Sequence, residues 1–308
     1  MKTQNPRQVY GETLVELGGE DPRIVVLEAD LGKSTMTCLF EQAFPDRFFE
    51  MGIGEANMTS FAAGLSLTGK IAFTNSFAVF AAGRAFDQIR QGISIPKLNV
   101  KIIGSSAGLS DFGDGSTHQS VEDLAIMRAI PNMTVLVPAD GIETRKMTRA
   151  IVRHPGPVYL RINRHDMPDL FPEDQDFEIG RSYRIRDGRD VVVFANGIMV
   201  SKAVAAAKKL DGEGISVKVV NVSSLKPVDE AQIRLFAAGM KGIVTAEEHS
   251  LIGGLADVIT FILRGTGIPV EPVGIADRFG TSAHDYEELL EAYGLTEQQI
   301  AAAVRKLI

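Results

Sequence analysis

Residues 99–130 read NVKIIGSSAGLSDFGDGSTHQSVEDLAIMRAI. Asn99–Ile103 is a short apolar run of the kind that forms a buried strand, and 105–119 is a loop dense in Gly, Ser and Asp. Val121–Ile130 then takes up helical spacing, with Ser120 and Asp123 placed as a capping pair. A strand, a small-residue loop and a helix start form half of a βα unit. In open parallel sheets, loops at the carboxyl ends of strands diverge and helix N-termini face the crevice, so ligands bind there.

The same alternation extends outward in both directions. Toward the N-terminus lie the runs Arg23–Leu27 and Lys70–Phe73, the latter followed by a periodic stretch, Phe77–Gly92. Toward the C-terminus come the strand-like Thr134–Val137, a helix over Ile142–Arg153 opened by Asp140 and Glu143, and a strand over Pro157–Ile162. This predicts an α/β, doubly wound domain with a mostly parallel sheet over residues 1–172. From Phe171 the texture becomes charged and aperiodic (FPEDQDFEIGRSYRIRDG), so 173–189 reads as a linker. Alternation resumes over 190–308 with strands at Asp190–Phe194, Ser216–Asn221, Gly242–Thr245 and Val270–Gly274. Helices are expected at Val200–Leu210, Asp229–Ala238, Leu255–Gly265 and Thr296–Ile308, the last capped by Thr296 and Gln299. The second unit is therefore a smaller doubly wound domain, also mostly parallel.

Composition narrows the function classes. The 308 residues suit two domains. Lys plus Arg is 32 against 39 Asp plus Glu, a formal charge of −7, which offers no footprint for nucleic acid. Cys38 is the only cysteine, so an intrachain disulfide is impossible, and with no acid–base partner near it in sequence it reads as inert. No stretch approaches the roughly 20 apolar residues of a membrane span. The start, MKTQNPRQVYGETL, is polar and unlike a secretory signal, so a cytoplasmic location is expected.

Few segments carry chemistry. The 105–119 loop offers carboxylates, including Asp114, and a histidine, His118, among small residues. Glu55 opens a small-residue helix, Thr59–Leu67, and Phe77 and Phe80 lie three apart, on one helical face. Taken singly, each has a bland reading: turn glycines, a helix-start carboxylate, core phenylalanines. Gly113-Asp114-Gly115 suggests a metal–diphosphate motif, but that motif needs an Asn roughly 25–30 residues later to share the cation. Asn132 is too near and Asn163 too far, so no metal ligand is assigned to this chain. His154, His165 and His284 read as surface histidines.

Read in order, these segments resemble the C-terminal half of transketolase. Glu55-Ala56-Asn57-Met58 matches the family's glutamate motif and Ser76-Phe77-Ala78-Val79-Phe80 its aromatic segment. Asp114-Gly115-Ser116-Thr117-His118-Gln119 matches Asp-Gly-Pro-Thr-His-Gln, with Ser116 replacing Pro. Ala129–Asn132, Pro138–Asp140 and Glu247–His249 complete the set. The resemblance implies a thiamine diphosphate pyrimidine-binding domain followed by a transketolase C-terminal domain, without the diphosphate-binding domain. The chain is thus similar to the small subunit of a split, two-subunit transketolase. The partner would be an N-terminal subunit that binds Mg²⁺ or Ca²⁺ and shares thiamine diphosphate, in an α2β2 heterotetramer.

The resemblance also implies roles. Glu55 would hydrogen-bond the cofactor's aminopyrimidine, and Phe77 and Phe80 would form its pocket. Asp114 and His118 would contact oxygens of a ketose donor, and the reaction implied is transfer of a two-carbon ketol unit from that ketose, as a phosphate ester, to an aldose acceptor. Arg164 aligns with the family's phosphate-binding arginine, and Arg7, Asp30 and Ser34 occupy the other acceptor-channel positions. Two departures leave the acceptor open between phosphorylated and sulfonated sugars. Ser106 stands near the position of a family histidine, and Gly54-Glu55-Ala56 replaces Arg-Glu-His. Competing readings are a β subunit of a 2-oxoacid dehydrogenase, a deoxyxylulose-phosphate synthase-like enzyme, and a non-catalytic oligomer partner.

Overall fold

The computed structural model describes residues 2–308. Its strands, in chain order, are β1 (Thr3–Gln4), β2 (Ile24–Glu28), β3 (Phe48–Glu50), β4 (Ile71–Phe77), β5 (Val100–Ser105), β6 (Thr134–Leu136) and β7 (Val158–Arg161). They continue as β8 (Met167–Pro168), β9 (Tyr183–Arg186), β10 (Val191–Ala195), β11 (Val217–Asn221), β12 (Ser224–Lys226), β13 (Gly242–Ser250) and β14 (Val270–Ile275). Every residue of β2, β4, β5 and β7 is buried, the pattern of strands covered by helices on both faces.

The first sheet has the order β12-β6-β7-β5-β4-β2-β3 and is parallel except where β12 joins antiparallel to β6. Parallel strands bring their carboxyl ends to one rim, so the residues after Glu28, Phe77, Ser105 and Arg161 meet there. The second sheet, β14-β13-β10-β11-β9, is parallel save for β9 on β11. Both sheets are mostly parallel and helix-covered, as the alternation predicts. Among the described residues no helix is long and apolar enough to cross a membrane.

Local details differ from the sequence reading. The 173–189 segment is not wholly irregular: Tyr183–Arg186 pairs with β11 as an edge strand. Its alternation is short and half exposed, so periodicity does not reveal it. Phe77–Gly92 is not one helix. Phe77 stays in the β4 ladder opposite Ser105, and the rest divides into Ala78–Gly83, Phe86–Gln88 and a π-helical turn at Ile89–Ser94. The expected pair at Ser120 and Asp123 makes no cap, because the Asp123 carboxylate is drawn to Tyr159 Oη (2.7 Å) and Arg161 Nε (2.9 Å). Asp140 and Thr296 do cap their helices, accepting from Glu143 N at 2.7 Å and Gln299 N at 3.2 Å.

The two sheets communicate through buried polar groups. Glu143 accepts from Ala139 N at 2.7 Å and from Asn221 Nδ2 of the second domain at 3.0 Å. Burial pushes its carboxyl up from 4.5 to about 7. A folded-state value above the unfolded one means the stability this group contributes is complete below about 4.5 and lost as pH rises through about 7. Glu143→Gln is expected to flatten the fall in unfolding free energy between those pH values, by up to roughly 1.4 kcal/mol per pH unit. Urea denaturation at stepped pH measures it, and an unchanged slope would place the titration on another group.

Candidate active site

The end of β4 sets the first wall. Phe77 is extended (φ −67°, ψ 149°), and the helix Ala78–Gly83 begins directly after it. This break, not a shared helical face, stacks Phe77 on Phe80 with centroids 6.0 Å apart and ring planes 16° apart. The His118 ring meets both edge-on, 5.2 Å from Phe80 and 6.2 Å from Phe77, and its Nδ1 lies 2.9 Å from Thr117 Oγ1.

Glu55 opens the helix Glu55–Leu67 and is 4% exposed. Its side chain does not cap that helix. Instead Oε1 accepts from Arg84 Nη1 at 3.0 Å, and the Arg84 guanidinium lies 4.0 Å above the Phe80 ring. Glu55, Phe80, Arg84, His118, Asp30 and Ile53 line one cavity of about 250 Å³. Asp30 adopts φ 60°, with its N–H donating to Glu50 Oε1 at 2.9 Å. Behind it Glu28 is buried, held by Thr35 Oγ1 at 2.7 Å and Thr37 Oγ1 at 2.5 Å. Its carboxyl is pushed up to about 7 by burial.

A cationic corner adjoins this cavity. Arg164 Nη1 donates to Asp111 Oδ2 at 3.2 Å and Ser106 Oγ at 3.3 Å, and its guanidinium lies 5.8 Å from the Phe77 centroid. Arg7 Nη1 donates to the Ser34 carbonyl at 2.8 Å. Burial, and then the nearby Arg164 charge, lower Arg7 to about 10. Arg7, Arg164 and His165 line a second cavity of about 520 Å³. His165 is therefore more than a surface residue: half-buried in the cavity wall, it stacks on Tyr286 at 4.5 Å, and burial followed by the two arginines lowers its pKa. His154 is also partly buried, within 3.1 Å of Thr134 Oγ1.

The structure thus gathers Glu55, Phe80, His118 and Asp30 at one cavity, with Phe77 stacked behind Phe80, and Arg7 and Arg164 at a second, with the Ser34 carbonyl bonded to Arg7. Asp114 is exposed at the start of the turn Gly115–Thr117 and lines neither cavity. The carboxylate paired with Arg164 is Asp111, buried and raised by that burial, with Arg164 opposing. Sequence reading missed Asp111, Arg84 and Glu28. Asp111 shares the loop with Asp114, and spacing alone does not rank the two. Among the described residues no three His, Cys, Asp or Glu side chains gather as a metal site.

Comparisons with known proteins place the family. The family described as "Transketolase, pyrimidine binding domain" matches residues 2–169, and "Transketolase, C-terminal domain" matches residues 180–300. A protein of Methanocaldococcus jannaschii, provisionally described as a transketolase C-terminal section, is 43% identical over 302 residues, covering 97% of this chain and 94% of its own. A 6-deoxy-6-sulfo-D-fructose transketolase subunit of Clostridium sp. is 40% identical over 303 residues, covering 98% and 94%. A solved split-gene transketolase, described as an inactive β4 tetramer, superposes with a TM-score of 0.90 at 48% identity, covering 99% and 98%. With both domains matched in order along nearly the whole length, the chain belongs to the transketolase family.

Proposed function

We propose that this chain is the small subunit of a thiamine diphosphate-dependent transketolase, transferring a two-carbon ketol unit from a ketose donor to an aldose acceptor. A separate subunit would supply the diphosphate and Mg²⁺ or Ca²⁺ contacts, in an α2β2 assembly. The observation that carries the reading is one cavity holding a buried carboxylate, Glu55, beside the stacked Phe77–Phe80 pair. That set fits an aminopyrimidine: a carboxyl for the ring nitrogen and an aromatic face for the ring. When bound, the thiazolium of thiamine diphosphate supplies the electron sink for carbon–carbon cleavage.

The chain's own residues then bind, orient and hold protons. Glu55 shares a proton with the pyrimidine nitrogen, and Phe77 and Phe80 hold the ring. His118, edge-on to both rings, reaches toward sugar oxygens, with Asp114 at the mouth of the same loop. Asp30 and Ser34 border the acceptor channel. Arg7 and Arg164 present guanidinium forks to a terminal oxyanion, with Asp111 offsetting part of their charge. Phosphate and sulfonate both offer tetrahedral oxygens, and the Clostridium relative named for a sulfonated sugar supports including that class.

Mixing the chain with candidate diphosphate-binding subunits, thiamine diphosphate and a ketose panel tests the reading. The expected products are an aldose shortened by two carbons and an extended ketose, without CO₂. Release of CO₂ would move the protein to the 2-oxoacid dehydrogenase or deoxyxylulose-phosphate synthase type. In the same assay Arg164→Ala is expected to raise KM for a phosphorylated or sulfonated acceptor about tenfold or more, and that for a neutral short aldehyde much less. Equal losses on both would mark Arg164 as structural.

A further inference from the structure

The second domain reaches into the candidate site from behind. Glu248, near the end of β13, is 3% exposed. Its Oε1 accepts from Leu109 N at 2.7 Å, and its Oε2 accepts from Asn163 Nδ2 at 3.1 Å. Leu109 belongs to the loop that carries Asp111 and His118. Asn163 immediately precedes Arg164. Asn163 Nδ2 also donates to Tyr286 Oη at 2.9 Å, and the Tyr286 ring stacks on His165. One carboxylate and one tyrosine of the second domain therefore grip both sides of the cationic corner.

Other contacts confirm how closely the loop is held. Gly108 is in the left-handed region (φ 66°), and a Cβ there would collide with the Glu248 carboxyl. Ala283 N donates to the Phe112 carbonyl at 2.9 Å. Gln119 Nε2 bridges the Asp111 and Thr281 carbonyls, each at 3.0 Å. Burying a carboxylate is costly, and an apolar side chain of similar volume would fill the space at lower cost. What the apolar side chain lacks is two oxygens that hold two chain segments at once.

We infer that Glu248 is a positioning residue: it sets the separation between the 105–119 loop and Arg164, and through it the second domain tunes recognition of the substrate's terminal anion. The inference rests on the reading of Arg164 as an anion-binding residue. Glu248 lies behind the loop and acts through Leu109 and Asn163, not on a reacting atom. Its loss alters anion affinity more than the chemical step.

The test uses the chain assembled with its diphosphate-binding subunit. Glyceraldehyde 3-phosphate and glycolaldehyde serve as charged and neutral acceptors, and inorganic phosphate as a binding probe by titration calorimetry. Glu248→Ala is expected to raise the ratio of the two KM values about tenfold and weaken phosphate binding comparably, with kcat on glycolaldehyde within about threefold. Glu248→Gln keeps an acceptor for Leu109 N but turns a donor toward Asn163, so its effect falls between Glu248→Ala and the parent. Tyr286→Phe keeps the ring stack and loses the hydroxyl. It serves as the fold-preserving variant, with a KM ratio raised about threefold. Equal KM changes on both acceptors, or unchanged phosphate binding in all three variants while Arg164→Ala abolishes it, would overturn the inference and leave the site reading standing. If Arg164→Ala also leaves phosphate binding unchanged, the site reading fails and the inference falls with it.

Discussion

Glu55→Gln, assembled with the diphosphate-binding subunit, is expected to lose ketol transfer by about 10²–10⁴ with every donor, the range of a positioned acid–base group. The proposed work of Glu55 precedes sugar chemistry, so deuterium exchange at the cofactor C2–H should fall by a similar factor. Gln preserves size and one acceptor oxygen but cannot hold the proton in the same way. The bland alternative is a helix-start carboxylate, for which loss of a cap costs about 0.5–2 kcal/mol and leaves exchange near normal. The geometry already weakens it, since the carboxylate makes no capping bond and turns to Arg84 instead. That ion pair is half exposed on the arginine side, so losing it contributes little to stability. Near-normal exchange in a folded, assembled Glu55→Gln complex would return the residue to a structural role.

The isolated chain is expected to show no measurable ketol transfer and only weak binding of thiamine diphosphate, while addition of the diphosphate-binding subunit restores both. The candidate cavity supplies a carboxyl and aromatic faces, which suit the pyrimidine half of the cofactor. Diphosphate recognition needs a cation or a dense array of donors, and the cavity that holds Glu55 presents Arg84 and His118 as its cationic or titratable nitrogen groups. The cavity mouth also exposes apolar surface: Ile53, 75% exposed, lines it. A subunit laid over this mouth would cover Ile53 and close the cofactor site. The check is calorimetry and a coupled ketol-transfer assay on the chain with and without the partner. Full activity of the partner-free chain would sink the two-subunit reading.

Much of this architecture was legible in the linear order of residues. The alternation of short apolar runs with amphipathic stretches is a local property, and it yields two mostly parallel α/β units because strands buried on both faces need apolar side chains throughout. The caps at Asp140 and Thr296 are equally local, each a side chain bonding an N–H three residues away. The ordered motifs containing Glu55, Phe77, Phe80 and His118 point by themselves to one family. Where local reading erred, at Asp123 and along Phe77–Gly92, a tertiary partner or a sheet ladder outcompeted the local preference.

The pairings that shape the site lie beyond such reading. Arg84 meets Glu55 across 29 positions, Arg164 meets Asp111 across 53, Asn163 meets Tyr286 across 123, and Glu248 meets Leu109 across 139. Periodicity has no register for distances of that size. They are decided by which strand ends share a rim, and by how the second domain packs against the first. The sequence alone thus determined the α/β class and the family, and named the candidate site residues. Only the tertiary structure paired Asp111 with Arg164, stacked His165 on Tyr286, and placed a buried carboxylate of the second domain behind the loop, because burial makes a charged group seek whichever partner the packing brings near.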